Sequence, residues 1–303
     1  MAFAKGQEST EGSVRKLFKG VGSSYIVAIN PNKAELEKLL DRTLEEEPVY
    51  LEEKEENDKK VKQLRLVFYL KPDGNKYLDA DGNKVNTIVP LTFYLRGEYR
   101  KGSNSGKYQV IDEFGRTAWA TEEEINEHKV PMYSSGPANI TKNYRKAISG
   151  EEDLTNFLIA YLNIQSCQKY VDGKWIMRPE NELNMSLARL DHVQDYFKGD
   201  ISEVQAAVAM QPENTVKVCY GIKTNDDGKM FQTVYTRMFL KNYSKDYIKL
   251  AKNIEDAQAA GAFSNCEFDT MEFREYRVES TDLSTPKETE SPFPGSEDND
   301  IPW

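Results

Sequence analysis

The chain has 303 residues, of which 39% are hydrophobic, and a formal net charge of −10. This length allows one large domain or two small ones, and without a run of about eighteen apolar residues nothing in it is expected to span a membrane. The acids are concentrated in residues 45–60, with eight acids and three lysines, and in residues 280–303, with six acids and one lysine. The other residues are neutral in sum, so the net charge neither establishes nor excludes a local basic groove.

The N-terminal part of the chain predicts an arm, a strand, a helix and a linker. Residues 1–22 are rich in Gly, Ser and Lys and are expected to form a flexible basic arm. An apolar, β-rich strand at 25–29 leads through an Asn-Pro-Asn turn into a helix at about 33–40. The acidic residues 45–60 are expected to form an exposed linker or loop.

The clearest β pattern lies in residues 62–71. In this segment the residues alternate between an apolar set and a set of rings and cations: Leu64, Leu66, Phe68 and Leu70 against Arg65, Val67, Tyr69 and Lys71. Such alternation predicts a strand with one buried and one outward face. A second strand is predicted at 87–100 and a third at 108–111, resuming at 116–120. A capping box of Thr121 and Glu124 then predicts a short helix.

A mainly helical region, about 121–212, separates these strands from a second β cluster. Its predicted elements are a loop at 129–148, a helix at 151–162 opened by a Ser149–Glu152 capping box, a hairpin at 170–177, and helices at 187–197 and 201–210. The strands that follow, 216–223 and 230–241, flank a strong hairpin signal at 225–228. A helix at 244–260 and a strand at 266–278 complete the folded part.

Three strands, a helical region and a two-stranded hairpin give the element order of an OB-fold, a partly open five-stranded barrel. The sequence therefore predicts an α+β, mainly β domain at 23–279, with an elaborated OB-like barrel and the helical insertion between its third and fourth strands. Other mixed α+β domains also contain two antiparallel clusters. No internal repeat is visible, which favours one domain over two tandem barrels.

Single-strand binding requires flat rings on which bases stack, beside cations that contact the phosphates. The outward faces of the predicted strands and the basic part of the 129–148 loop carry these residue types. The candidate nucleic-acid-binding residues are Arg65, Tyr69, Tyr94, Arg96, Lys142, Tyr144, Arg145, Lys146, Tyr235 and Arg237. Aromatic residues favour strands whatever the function, so each ring also has a purely structural interpretation. Which face of 230–241 is buried stays open.

Catalytic patterns are not evident in the sequence. His128 and His192 lie outside any metal or nucleophile motif, and no phosphate-binding loop occurs. The scattered cysteines Cys167, Cys219 and Cys266 lack metal-ligand spacing and indicate reduced thiols of a cytoplasmic protein. We therefore expect no enzymatic activity, no catalytic residue, no metal and no cofactor. A nuclease built on convergent carboxylates stays an alternative.

Residues 280–303 predict a disordered acidic tail for protein interaction, because Pro, Gly, Ser and acids cannot form a packed element. Its candidate contact residues are Asp298, Asp300, Ile301, Pro302 and Trp303. This ending resembles the tip of bacterial and phage single-stranded DNA-binding proteins, whose acidic tail ends in an aromatic residue, usually Phe, and recruits other replication proteins. Trp303 keeps the ring and changes its size.

The resemblance extends beyond the tail. The Met-Ala-Phe-Ala-Lys-Gly start and the segments 112–119, 132–139 and 232–241 are similar to single-stranded DNA-binding proteins of crAss-like phages, which infect gut Bacteroidetes. The resemblance implies sequence-independent binding and protection of single-stranded DNA during phage replication and recombination, in the cytoplasm of the infected bacterium. The tail would recruit polymerase, primase, helicase or recombinase. The alternative is a replisome or virion adaptor or scaffold that binds no nucleic acid.

Overall fold

The computed structural model describes residues 14–56, 59–102, 105–112, 115–130, 144–164, 168–172, 174–177 and 182–279. The strands in these ranges are β1 (Val14–Ile29), β2 (Leu51–Glu56), β3 (Lys59–Pro72), β4 (Val89–Arg96), β5 (Tyr108–Asp112), β6 (Thr117–Ala120), β7 (Tyr144–Lys146), β8 (Gln168–Val171), β9 (Lys174–Met177), β10 (Val216–Thr224), β11 (Met230–Val234), β12 (Leu240–Lys241), β13 (Cys266–Phe268) and β14 (Arg274–Glu279). The α-helices are α1 (Lys33–Leu40), α2 (Glu122–Asn126), α3 (Glu151–Tyr161), α4 (Glu182–Ala188), α5 (Ser202–Ala209) and α6 (Tyr247–Ala259), and a 3₁₀ helix spans Val193–Lys198.

The central strand of the main sheet is β1, which pairs in turn with β14, β10 and β3 along its 16 residues. Gly20 permits the change of partner, because its φ is +111° and a Cβ there would lie 2.7 Å from the carbonyl oxygen of Glu272. The predicted loose arm is therefore wrong for the described residues of 1–22. Leu17 and Phe18 are buried, and the ring of Phe18 stacks on that of Phe273 at 5.0 Å.

The neighbouring strands β10, β1, β3 and β4 form a Greek key, with the fourth strand beside the first. Beyond β10 lies β11, which approaches β4, although no ladder between described residues joins the two and closes the sheet. The main sheet has nine described strands, and β5–β6–β7 and β8–β9 form separate small sheets. All of these ladders are antiparallel, so the prediction of an α+β, mainly β fold is confirmed.

The inner face of the sheet packs on α3. The predicted apolar set of β3, from Leu64 to Leu70, is buried, and the ring of Phe157 on α3 lies 4.9 Å from that of Phe68 and 5.4 Å from that of Phe93. One hydrophobic cluster extends from Phe18 to Phe273. The described chain is therefore tied together by one principal core.

Local signals predicted several elements well. Helix α1 has the predicted bounds, and both it and α2 begin with a complete capping box. The Ser149–Glu152 box is wrong: the N-cap of α3 is Gly150, which makes no side-chain cap bond. Glu152 instead accepts hydrogen bonds from Gln109 and Thr117. These long-range partners compete successfully for its carboxylate.

Other elements differ because tertiary pairing overrides local composition. Within the predicted linker 45–60, β2 and the start of β3 pair as an edge hairpin in which acids face lysines, such as Glu55 opposite Lys60. The predicted strands at 230–241 and 266–278 are each two shorter strands. None of the described helices has the length and apolar character that a bilayer crossing requires.

Candidate nucleic-acid interface

The outward face of the β3–β4 ladder carries four of the candidate residues. The register pairs Arg65 with Tyr94, Gln63 with Arg96, and Tyr69 with Pro90. Residues directly opposite each other in an antiparallel ladder share a face. The predicted alternation along β4 is confirmed, because Leu91, Phe93 and Leu95 are buried and the residues between them are partly or fully exposed.

Helix α1 covers one half of this outward face. Val67 and Tyr69 are buried against Leu36 and Leu44, and the partly buried Tyr50 packs against the same cluster. Burial raises the pKa of Tyr69. The expectation that Tyr69 is exposed and available for stacking is therefore wrong. The alternation along β3 gives no information about a helix that packs on the outward face of the sheet.

The other half of the face is open to solvent. The ring of Tyr94 is 48% exposed, and Arg65 lies beside it, half-buried. The Nε of Arg65 is buried without a hydrogen-bond partner among the described residues. Arg96, one step further along β4, pairs with the exposed carboxylate of Glu98 at 3.0 Å. We name Arg65, Tyr94 and Arg96 the open β3–β4 face.

The residues predicted in the 129–148 loop separate into different roles. Lys142 lies outside the described residues. Tyr144 packs on the β5–β6 core, and its hydroxyl donates to the carbonyl of Ile125 at 3.2 Å. Arg145 donates to the fully buried carboxylate of Glu151 and to the carbonyl of Leu190. Tyr144 and Arg145 thus connect elements within the protein, and they do not form the exposed binding surface that was predicted.

Lys146 has a different environment from its neighbour Arg145. Its ammonium lies 4.1 Å from the ring centroid of Tyr108 and 5.7 Å from that of Tyr99. It also contacts both carboxylate oxygens of Glu122 at 2.7 Å. Lys101 lies 5.3 Å from the ring of Tyr108. We name Tyr99, Lys101, Tyr108 and Lys146 the ring–lysine cluster.

The candidates after β11 do not share a surface as expected. Tyr235 is fully buried, and its hydroxyl donates to Oδ1 of Asn253 at 2.7 Å. Burial raises its pKa to about 12. Arg237 is exposed, with its guanidinium 5.8 Å from the ring of Phe263. The outward placement of Tyr235 is wrong because α6 packs over this face: the ring is buried against Leu250 and Ile254, while the backbone N–H still donates to Cys219 of β10.

Of the ring–lysine cluster, sequence reasoning identified Lys146 but missed Tyr99, Lys101 and Tyr108. Tyr99 is 51% exposed and lies three residues after the end of β4. Trp119, on the opposite face of β5–β6 from Tyr108, is 37% exposed, and the guanidinium of Arg100 lies 5.5 Å from its ring. The run Tyr99-Arg100-Lys101 is itself a signal of rings beside cations. The run was overlooked because it falls at the end of the strand predicted at 87–100.

Other chemistry has little support in the described residues. They contain no group of three or more His, Cys, Asp or Glu side chains placed to hold a metal ion. His192 is exposed, with Nδ1 3.4 Å from a carboxylate oxygen of Glu203. Cys219 and Cys266 are buried free thiols, and burial raises the pKa of Cys219 to about 12. A shallow depression of about 560 Å³ lies beside Tyr25 and away from the open β3–β4 face.

Three of the candidates therefore meet on one open surface, and Lys146 belongs to another. Cys167 and the tail residues Asp298, Asp300, Ile301, Pro302 and Trp303 lie outside the described residues. No protein-family model, curated protein or solved structure matches this chain. Function is therefore inferred from the chemistry of the surface and from the sequence resemblance.

Proposed function

We propose that this protein binds single-stranded DNA without sequence preference and protects it during phage DNA replication and recombination, in the cytoplasm of the infected bacterium. It acts without catalysis, and its tail at 280–303 recruits polymerase, primase, helicase or recombinase. The observation that carries the proposal is the open β3–β4 face, on which an exposed ring, Tyr94, has Arg65 opposite it and Arg96 two residues further along the same strand.

The sheet topology supports an OB-like barrel within this proposal. A Greek key extended by a fifth strand that approaches the third is the arrangement of a partly open five-stranded barrel. In such barrels the face of the second and third strands binds oligonucleotides. Here β3 and β4 are the second and third strands of the key, and the helical region lies between the third and fourth.

The chemistry of the open face suits a single strand. A flat ring stacks on any base, because every base has a π face, and each stacked base contributes roughly 1–3 kcal/mol. A guanidinium binds phosphate oxygens through charge-assisted hydrogen bonds. Arg65 lies half-buried directly opposite the exposed Tyr94, so a ring and a guanidinium share this face.

The test is fluorescence anisotropy of a labelled oligothymidine titrated with the full-length protein at several salt concentrations, with duplex DNA as the control. We expect single-strand-selective binding whose log–log salt slope is about −0.7 per phosphate contacted. Tyr94→Ala should weaken binding by about 5- to 150-fold. The matched control is Tyr243→Ala, because Tyr243 is 54% exposed and lies outside the open face.

The same measurement separates the alternatives. Equal affinities of the two tyrosine variants would remove the open face as the binding site, and absence of oligothymidine binding at low salt would overturn the proposed function.

The tail is tested in the full-length chain with purified phage replication proteins. Trp303→Ala should abolish binding of these replication proteins and leave DNA affinity unchanged. Phe293→Ala, the control, should still bind them. Loss of capture in a protein that binds no DNA would establish the adaptor instead.

A further inference from the structure

We infer that the ring–lysine cluster is a second subsite for single-stranded nucleic acid, which continues the path of the strand beyond the open β3–β4 face. This inference rests on the proposed function and adds to it a site and a longer footprint. The residues concerned are Tyr99, Lys101, Tyr108 and Lys146, none of which belongs to the main sheet.

The backbone fixes the cluster firmly. Isolated bridges join Tyr99 to Ile148 and Lys101 to Tyr108, so the segment after β4 is attached to the small sheet β5–β6–β7. Within the cluster one ammonium, that of Lys146, lies within 6 Å of both rings. Rings and cations therefore alternate across a short distance, as a stacked and phosphate-bound strand requires.

The cluster is close enough to the open β3–β4 face for one strand to reach both. Only four residues lie between Tyr94 and Tyr99, so the two α-carbons are five steps along the chain and at most about 18 Å apart. The connecting segment is itself held in place, because Gly97 donates to the carbonyl of Lys62 at 2.8 Å and Ser149 donates to that of Glu98 at 3.3 Å. The distance between the two surfaces is thus set by the fold.

The carboxylate of Glu122 provides a second, independent indication of an anion site. Both of its oxygens contact the ammonium of Lys146 at 2.7 Å, an arrangement that two oxygens of a phosphate can reproduce. The glutamate side chain is 53% exposed, so its departure from Lys146 would uncover little buried surface. Glu122 therefore competes with a phosphate for Lys146, and its neutralisation should strengthen binding.

The first test uses oligothymidines of increasing length, from about 4 to about 16 nucleotides and beyond, the range of single-domain site sizes. Tyr94→Ala should weaken binding at every length. Tyr99→Ala should leave the shortest oligomers unaffected and weaken the longer ones by about 5- to 150-fold. Tyr99→Phe should restore the affinity, and Tyr243→Ala, with nearly the same exposed fraction as Tyr99, serves as the control.

The second test uses the opposing acid. Glu122→Gln should raise the affinity for long oligothymidine and steepen the salt slope by up to about 0.7, as one more phosphate contact forms. Glu53→Gln is the matched control, because Glu53 has the same exposed fraction and also pairs with a lysine, Lys60. An equal gain in both variants would indicate a general charge effect and overturn the assignment of Lys146.

The outcomes distinguish this inference from the function on which it rests. If Tyr99→Ala and Tyr243→Ala behave alike at every length while Tyr94→Ala is impaired, the second subsite is wrong and the proposed function stands. If the wild type binds no oligonucleotide, both are wrong. Thermal unfolding of each variant, expected to match the wild type, excludes a loss of fold as the cause. Tighter binding of oligouridine than of oligothymidine would make the ligand RNA and retain the subsite.

Discussion

Tyr69 and Tyr94 lie on the same face of one antiparallel ladder, yet they have different environments. Tyr69 is 8% exposed, beneath α1 and in contact with Tyr50, whereas Tyr94 is 48% exposed beside Arg65. The alternation of apolar and polar residues along the two strands predicts that both side chains face outward. The comparison teaches that a candidate binding face is defined by what a distant segment leaves uncovered as much as by the strand itself.

Alanine substitution of the two tyrosines should affect stability very differently. Tyr69→Ala removes a buried ring and should cost about 3–5 kcal/mol of unfolding free energy, whereas Tyr94→Ala should change it by no more than about 0.5 kcal/mol. Urea unfolding of both variants measures the difference. Similar losses in the two proteins would show that the open half of the face is covered in solution.

Neighbouring residues of β7 give the next largest difference. Arg145→Gln leaves the buried Glu151 carboxylate without its cation and should cost about 3 kcal/mol near neutral pH, whereas Lys146→Gln should cost less than about 1 kcal/mol, because its pair with Glu122 is partly exposed. Equal losses in these two variants would contradict the division between structural and surface cations.

The cost of Arg145→Gln should also depend on pH. Burial raises the pKa of Glu151, and Arg145 opposes that rise. A carboxyl whose folded pKa is raised contributes stability below its unfolded pKa and loses it as pH rises through the folded value. Without Arg145 that loss is larger, so the destabilisation should be small near pH 4 and grow towards pH 8. A constant difference across this range would contradict the assignment.

A smaller effect concerns the position of β4. Gly150 has a φ of +85°, and a Cβ there would lie 2.1 Å from the carbonyl oxygen of Tyr94. Gly150→Ala should therefore cost about 2 kcal/mol or more and displace the strand that carries the open face. Gly199→Ala is the control, because its φ is +91° and the added Cβ would meet no atom within 4 Å. Thermal unfolding of the two variants separates the steric clash from the backbone strain.

The smallest expected effect tests the covering helix itself. Asn32 caps α1, because its side-chain oxygen accepts a hydrogen bond from the backbone N–H of Glu35. The carboxylate of Glu35 in turn accepts one from the backbone N–H of Asn32. Asn32→Ala should cost about 1 kcal/mol and Asn32→Gly only a few tenths. Hydrogen exchange of the β3 amides beneath α1 should accelerate in the alanine variant. Unchanged exchange there would mean that α1 covers this face independently of its cap.

Much of the fold was predictable from local patterns. The alternation from Leu64 to Leu70 identified the buried face of β3, and the signal at 225–228 identified the β10–β11 hairpin. The arm expected at 1–22 was wrong in its described part because a Gly-, Ser- and Lys-rich composition gives no sign of the partners that β1 pairs with. Those partners lie in β10 and β14, far from β1 in the sequence.

The candidate site was predictable only in part. Arg65, Tyr94 and Arg96 were identified because an isolated ladder has two faces and the hydrophobic set marks one of them. Tyr235 was wrongly placed at the surface, since the pattern of its own strand gives no sign that α6 packs over it. Lys146 was identified, but the two rings of its cluster were missed because they come from separate segments that bridge in the fold.

Local interactions fix the capped helix α1, the two-residue period of β3 and β4, and the hairpin turns, so these elements can be read from the amino-acid order. Which outward residues remain at the surface depends instead on packing between distant segments. Burial of Tyr69 requires α1 to fold back on β3, and neutralisation of Arg145 requires the carboxylate of Glu151. Both depend on contacts between segments that the periodicity of either segment alone does not encode.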